Sequence, residues 1–164
     1  MNIGCLRAAA LGLSLSLVSM APAEAQSDAD KVRVIHDEAA GWSRNTDVLL
    51  ATYTDDVSDE DPGLSLVLKG KDQVRGFAQS FSDAFPDLQA EIVSTNVSGN
   101  RGASEWRFSV TQTGDLAGIP AAGKQMDVVG ASIYEFEGGK IKRKVDYWDF
   151  ATALRQLGAM PAKQ

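Results

Sequence analysis

The hydrophobic pattern changes period at Pro86, and that break limits what the chain can build. Upstream of it, apolar residues recur every three or four positions, the spacing of a helix face. Downstream they alternate, the spacing of a strand with one buried side. Val32, Ile35, Ala39 and Trp42 mark a first helix over Asp28 to Trp42. Thr46 is placed to cap a short second helix carrying Val48, Leu49, Leu50 and Tyr53. Asp55 to Gly63 reads as an acidic turn or short strand, and Leu64 to Leu68 as a strand. Gly70 opens a third helix that runs to about Phe85, with Val74, Phe77, Ala78, Phe81 and Phe85 on one face. Four strands follow: Leu88 to Val97, Ala103 to Thr113, Gln125 to Glu137 and Lys140 to Asp149. Gly138-Gly139 is a strong hairpin signal between the last two. Gly114 to Gly123 is a loop, and Phe150 to Leu157 a closing helix.

Helices followed by a strand meander is an α+β order. The expected architecture is a cone-like curved antiparallel sheet wrapped around helices, enclosing one apolar pocket. Phe77, Phe81, Trp106, Tyr134 and Trp148 are the aromatics available to line it.

The N-terminus has a different grammar. Arg7 precedes an apolar run from Ala8 to Val18, and Ala23-Glu24-Ala25 has the small-x-small pattern of a cleavage site. The run is shorter than the roughly 20 residues that span a bilayer. The expectation is a cleaved signal peptide over residues 1–25 and a single domain over 26–164, in the periplasm or secreted. Cys5, the sole cysteine, falls inside the signal segment and away from the cleavage site, which argues against lipidation. A mature chain starting near Gln26 then has no disulfide, no thiolate nucleophile and no cysteine-held metal.

Charge narrows the partners. The net charge is −6 and no basic stripe is present, a poor basis for binding nucleic acid or, once the signal is cleaved, an anionic membrane. His36 is the single histidine, and it is offset from the first helix's apolar stripe, so zinc and copper sites are not expected. The acidic run Asp55, Asp56, Asp59, Glu60, Asp61 lacks the order of a calcium loop and reads as a solvated turn. No phosphate-cradling glycine loop and no Gly-x-Ser-x-Gly elbow occurs.

One ordered set of motifs stands out. Ala84-Phe85-Pro86-Asp87-Leu88 is followed by Thr113-Gly114-Asp115-Leu116, Gly118-Ile119-Pro120 and Gly123-Lys124. Ile133-Tyr134-Glu135-Phe136, Gly138-Gly139-Lys140-Ile141, Asp146-Tyr147-Trp148-Asp149 and Leu154-Arg155-Gln156-Leu157-Gly158 complete it. The set resembles the SnoaL-like polyketide cyclases of the nuclear transport factor 2 and ketosteroid isomerase superfamily. The resemblance implies a cone-like barrel with an apolar pocket. It implies an intramolecular aldol closure without metal or organic cofactor, and one acid/base aspartate near the end of the last strand, best matched by Asp149. It also implies that related folds pair as homodimers through the outer sheet face. Gln112 stands where family members often carry a histidine, Glu60 where a histidine is common near the pocket mouth, and Val145 where a tryptophan is common.

Strand parity gives a separate argument for Asp149. On an unbroken last strand, Ile141, Val145, Tyr147 and Asp149 share the apolar, inward face, while Lys140, Lys142, Lys144 and Asp146 face water. A carboxylate carried into an apolar pocket gains basicity by desolvation. Asp149 also directly precedes a helix, where capping alone would explain it. Asp146 enters the site only if a bulge shifts the register. Gln112 could orient a carbonyl, and Tyr53 or Tyr134 could supply a phenol donor, although core packing accounts for both tyrosines. Two functions fit: acid/base chemistry next to a carbonyl, giving cyclisation or isomerisation, or non-catalytic binding of an apolar small molecule.

Overall fold

The computed structural model describes residues 27–115 and 118–161. The expected signal segment, residues 1–25, lies outside them, and Ser27 begins the described chain. Ser27 accepts the Asp30 amide and so caps α1 (Asp28–Arg44). Asn45, rather than Thr46, caps α2 (Thr46–Ala51): its side chain accepts the amides of Asp47 and Val48. The chain continues through β1 (Tyr53–Asp61), β2 (Leu66–Lys69), α3 (Gly70–Ala84), β3 (Gln89–Ser98) and β4 (Arg101–Thr111). It ends with β5 (Gln125–Glu137), β6 (Lys140–Trp148) and α4 (Phe150–Leu157).

The acidic run, read as a turn or short strand, lies in the nine-residue strand β1. Its burial alternates only from Val57 onward. Val57 and Asp59 are buried, while Asp55 and Asp56 face water and pair with Lys71 and Lys142. The carboxylates on the wet side thus solvate the strand, and the dry side can join the core.

The six strands form one curved sheet in the order β2-β1-β6-β5-β4-β3. All neighbours are antiparallel except β1 and β6, which run parallel, so the sheet is mixed. β1 is laid down before the meander, and the last strand returns beside it. Extra residues bend the sheet: Val93 in β3, and Lys142 in β6, where Glu135 faces Arg143 but Phe136 faces Ile141.

The bulge at Lys142 has the largest consequence. It moves every later β6 side chain to the opposite face. Lys144, Asp146 and Trp148 therefore point into the cone, and Tyr147 and Asp149 point out. The expected parity of the last strand is inverted.

Helices α1 and α3 cover the concave face. The core has two parts. Ile35, Leu49, Tyr53, Val57, Val74 and Tyr134 fill one end, and Phe85, Leu88, Val110, Met126 and Leu157 the other. Trp42 packs against both. Its ring meets Phe77 and Phe81 edge-on, at centroid distances of 6.1 and 5.7 Å. These are favourable aromatic geometries.

Candidate active site

A cavity of about 100 Å³ lies inside the cone, between α1, α3 and the sheet. Its wall is aromatic: Trp42, Phe77, Phe81, Trp106, Phe108 and Trp148. Glu38, Asp59, Ser132, Lys144 and Asp146 make up most of its polar lining. Tyr134 completes that end, its hydroxyl bonded to Ser104 at 3.0 Å.

The polar groups form one connected network. Asp146 accepts from the Ser132 hydroxyl at 2.5 Å and lies 3.0 Å from the Lys144 ammonium. Ser132 in turn accepts from the Trp106 indole N–H at 2.8 Å. Lys144 donates to Glu38 Oε1 at 2.8 Å and stands 5.2 Å above the Trp42 ring. The same Glu38 oxygen accepts from the Trp42 indole at 2.6 Å and from the Tyr53 hydroxyl at 2.9 Å. Tyr53 also lies 3.3 Å from Asp59 Oδ2. It has one proton for two acceptors, so the nearer Glu38 takes it more fully. Asp59 is thus the least compensated carboxyl of the group.

The charges follow from this count. Three carboxyls face one ammonium. Burial pushes the Asp59 carboxyl up to about 7, and the neighbouring Asp146 and Glu38 carboxylates add to it, against the pull of Lys144. Burial likewise raises Asp146, with Lys144 and Ser132 opposing. Burial alone would lower Lys144. The carboxylates of Asp146 and Glu38 outweigh it and hold the ammonium protonated, well above its usual range. Burial and the Asp59 and Glu38 carboxylates push the Tyr53 phenol well up, so it remains a neutral donor.

Accessibility distinguishes the carboxyls. The Asp146 side chain is 18% exposed, against 3% for Glu38. Asp59 is 5% exposed as a residue. Of the three carboxyls of the network, Asp146 is therefore the most open to the cavity.

The structure gathers some of the residues singled out from the sequence and disperses others. Phe77, Phe81, Trp106, Tyr134, Trp148 and Asp146 line the cavity. Tyr53 reaches it through Glu38 and Asp59. Glu60 borders it, but its carboxylate is held by Arg143 in a two-point pair at 2.8 and 2.9 Å.

Asp149 and Gln112 do not line the cavity. Asp149 is exposed and caps α4. It accepts the Thr152 hydroxyl at 2.6 Å and the Thr152 amide at 2.9 Å. Those two bonds hold its carboxyl below the usual range, the opposite of a base matured by burial. Gln112 is fully buried at the base of the 114–123 loop. Its side chain donates to the Ile119 carbonyl at 3.2 Å, and its backbone pairs with Lys124 and Gly123. The expected inward placement of Asp149 is thereby corrected; the cause is the Lys142 bulge.

Glu38, Asp59, Lys144, Ser132 and Trp42 are additional members. Glu38 sits on the apolar stripe of α1, between Ile35 and Trp42, and a carboxylate on a buried stripe is a signal in its own right. Asp59 shares parity with Val57 on β1. Among the described residues, no group of three His, Cys, Asp or Glu side chains is arranged to hold a metal ion.

The fold is shared with solved structures of low sequence identity. A protein from Jannaschia sp., described as a SnoaL-like polyketide cyclase, superposes with a TM-score of 0.74 at 18% identity, covering 87% of this chain and all (100%) of that one. TsrD from Streptomyces laurentii gives 0.75 at 23% identity, over 82% and 99% of the two chains. A protein of ketosteroid isomerase-like fold from Catenulispora acidiphila, solved in complex with trimethylamine, gives 0.67 at 19% identity, over 76% and 92%. No curated protein sequence matches this one. The model of the SnoaL-like polyketide cyclases matches residues 32–157, which take in every side chain of the buried network, and the chain belongs to that family.

Proposed function

We propose that the chain is a cofactor-independent acid/base enzyme acting on a small, mainly apolar carbonyl compound, with Asp146 as the base. Family membership supports a cyclase- or isomerase-type activity on a small molecule. The observation that carries the finer reading is the placement of Asp146. It is a carboxylate open to the cavity, raised in basicity by burial, and held in one orientation by Ser132 and Lys144 beneath an aromatic wall. A base of that kind suits removal of an acidic proton next to a carbonyl.

The proton account closes within the site. Asp146 takes the α-proton, and the electron pair moves to the carbonyl oxygen as an enolate. The Lys144 ammonium, joined below about pH 7 by the neutral Asp59 carboxyl, sets a field that favours this negative charge. The enolate carbon then attacks a second carbonyl of the same molecule, and the alkoxide takes the proton back from Asp146. For isomerisation, Asp146 returns the proton to a different carbon. Neither route needs an oxidant or a second reactant.

A panel of aryl 1,3-dicarbonyl compounds in D₂O, followed by proton NMR, tests this. The protein should accelerate α-proton exchange of at least one member over buffer. Compounds that bind, seen by thermal shift, without any acceleration of exchange would assign the chain to non-catalytic binding instead. We also propose that the mature protein begins near Gln26 and is exported. An intact mass that retains residues 1–25 in the exported fraction would contradict this.

A further inference from the structure

We propose that Glu38 is a positioning residue of this site: by holding the Lys144 ammonium between two carboxylates, it keeps that cation from neutralising Asp146 completely. The inference rests on the reading of Asp146 as the base.

The geometry is a fork. Lys144 Nζ stands 2.8 Å from Glu38 Oε1 and 3.0 Å from Asp146 Oδ2. The Glu38 oxygen is itself fixed by the Trp42 indole at 2.6 Å and the Tyr53 hydroxyl at 2.9 Å. Glu38 comes from α1 and Lys144 from β6, so the pair also fixes how the helix sits over the strand. The Glu38 side chain is 3% exposed and does not compete for the cavity.

A buried carboxylate with a whole ammonium to itself is a weak base, since the cation favours the ionised form. One that shares its cation keeps more affinity for a proton. The titratable groups facing Asp146 are Lys144 beside it on β6, Glu38 on α1, Tyr53 and Asp59 on β1, and Tyr134 on β5. The tyrosines are neutral, and α3 contributes only the apolar Phe77 and Phe81 to the cavity. Asp59 also pulls on Lys144 but makes no ion pair with it, so Glu38, at 2.8 Å, is the nearer charge that divides Lys144.

The test reads Asp146 directly and needs no substrate. Protein labelled with ¹³C at the aspartate carboxyl is titrated by NMR, with Asp146 assigned from its absence in Asp146→Asn. Glu38→Gln keeps the acceptor oxygen for Trp42 and Tyr53 but removes the charge. The Asp146 midpoint should move down by about one pH unit or more, the scale of a charge at this distance. Lys144→Gln should move it up. Glu38→Asp keeps the charge but withdraws it by one methylene, and should move it down, which serves if Glu38→Gln does not fold. A midpoint that stays put or rises in either folded Glu38 variant overturns the proposal. A downward shift with no α-proton exchange activity in wild type would keep the electrostatic role of Glu38 while removing the catalytic reading.

Discussion

The Trp106 indole occupies the space in which a side chain at Gly130 would stand, and the two residues face each other across β4 and β5. Trp106 thereby reaches Ser132, two residues along β5, and passes its N–H to the oxygen that holds Asp146. A glycine on a strand interior normally weakens it; here it admits the ring that walls the cavity. Gly130→Ala should therefore cost about 1–3 kcal/mol, the scale of overpacking a filled site. Urea unfolding with tryptophan fluorescence measures it. A variant as stable as wild type would show that Trp106 is free to move aside.

The carboxyl of Asp59 gives a pH dependence with a definite sign. Its pKa is about 7 in the folded protein and near 3.8 when unfolded. The folded state therefore holds the proton over a range where the unfolded state has lost it. Stability contributed by this group falls as pH rises from about 4 through 7 and is constant above that. Asp59→Asn removes the buried charge. It should flatten the stability profile across this window and raise the melting temperature at pH 8, with little change at pH 4. A steeper profile in the variant would contradict the assignment.

How much of this was legible beforehand depends on the residue. The aromatic wall was readable, because Phe77 and Phe81 repeat at helical spacing and Trp106 alternates on a strand. The family motifs carried the fold. The site's chemistry was hidden by one inserted residue. Parity counting along β6 from Ile141 gives Asp149 inward; the Lys142 bulge exchanges it for Asp146, and nothing local in Lys140-Ile141-Lys142-Arg143 marks the bulge. Lys144 was hidden with it, since a lysine among lysines reads as solvated. Asp59 was lost in an acidic run whose wet members pair with Lys71 and Lys142. Glu38 was readable in principle, as a charge on an apolar stripe.

The cap at Asp149 separates the two aspartates experimentally. Asp149→Ala should cost about 1 kcal/mol from loss of the Thr152 bonds, and Asp149→Asn much less, since asparagine caps as well as aspartate. Neither should change α-proton exchange activity. Thermal melts of both variants, with exchange measured alongside, check this. A large loss of activity in folded Asp149→Asn would return Asp149 to the mechanism.

The central claim is that Asp146 moves the proton. Asp146→Asn keeps the shape and can still meet Ser132 and Lys144, while removing the base. The measurement is the α-proton exchange rate at pH 7 of the variant against wild type, on a dicarbonyl compound that wild type turns over, with both proteins shown folded by their melts. The account predicts a fall of roughly 10²-fold or more in the variant with a melting temperature equal to or above that of wild type. Exchange at the wild-type rate in folded Asp146→Asn would contradict it.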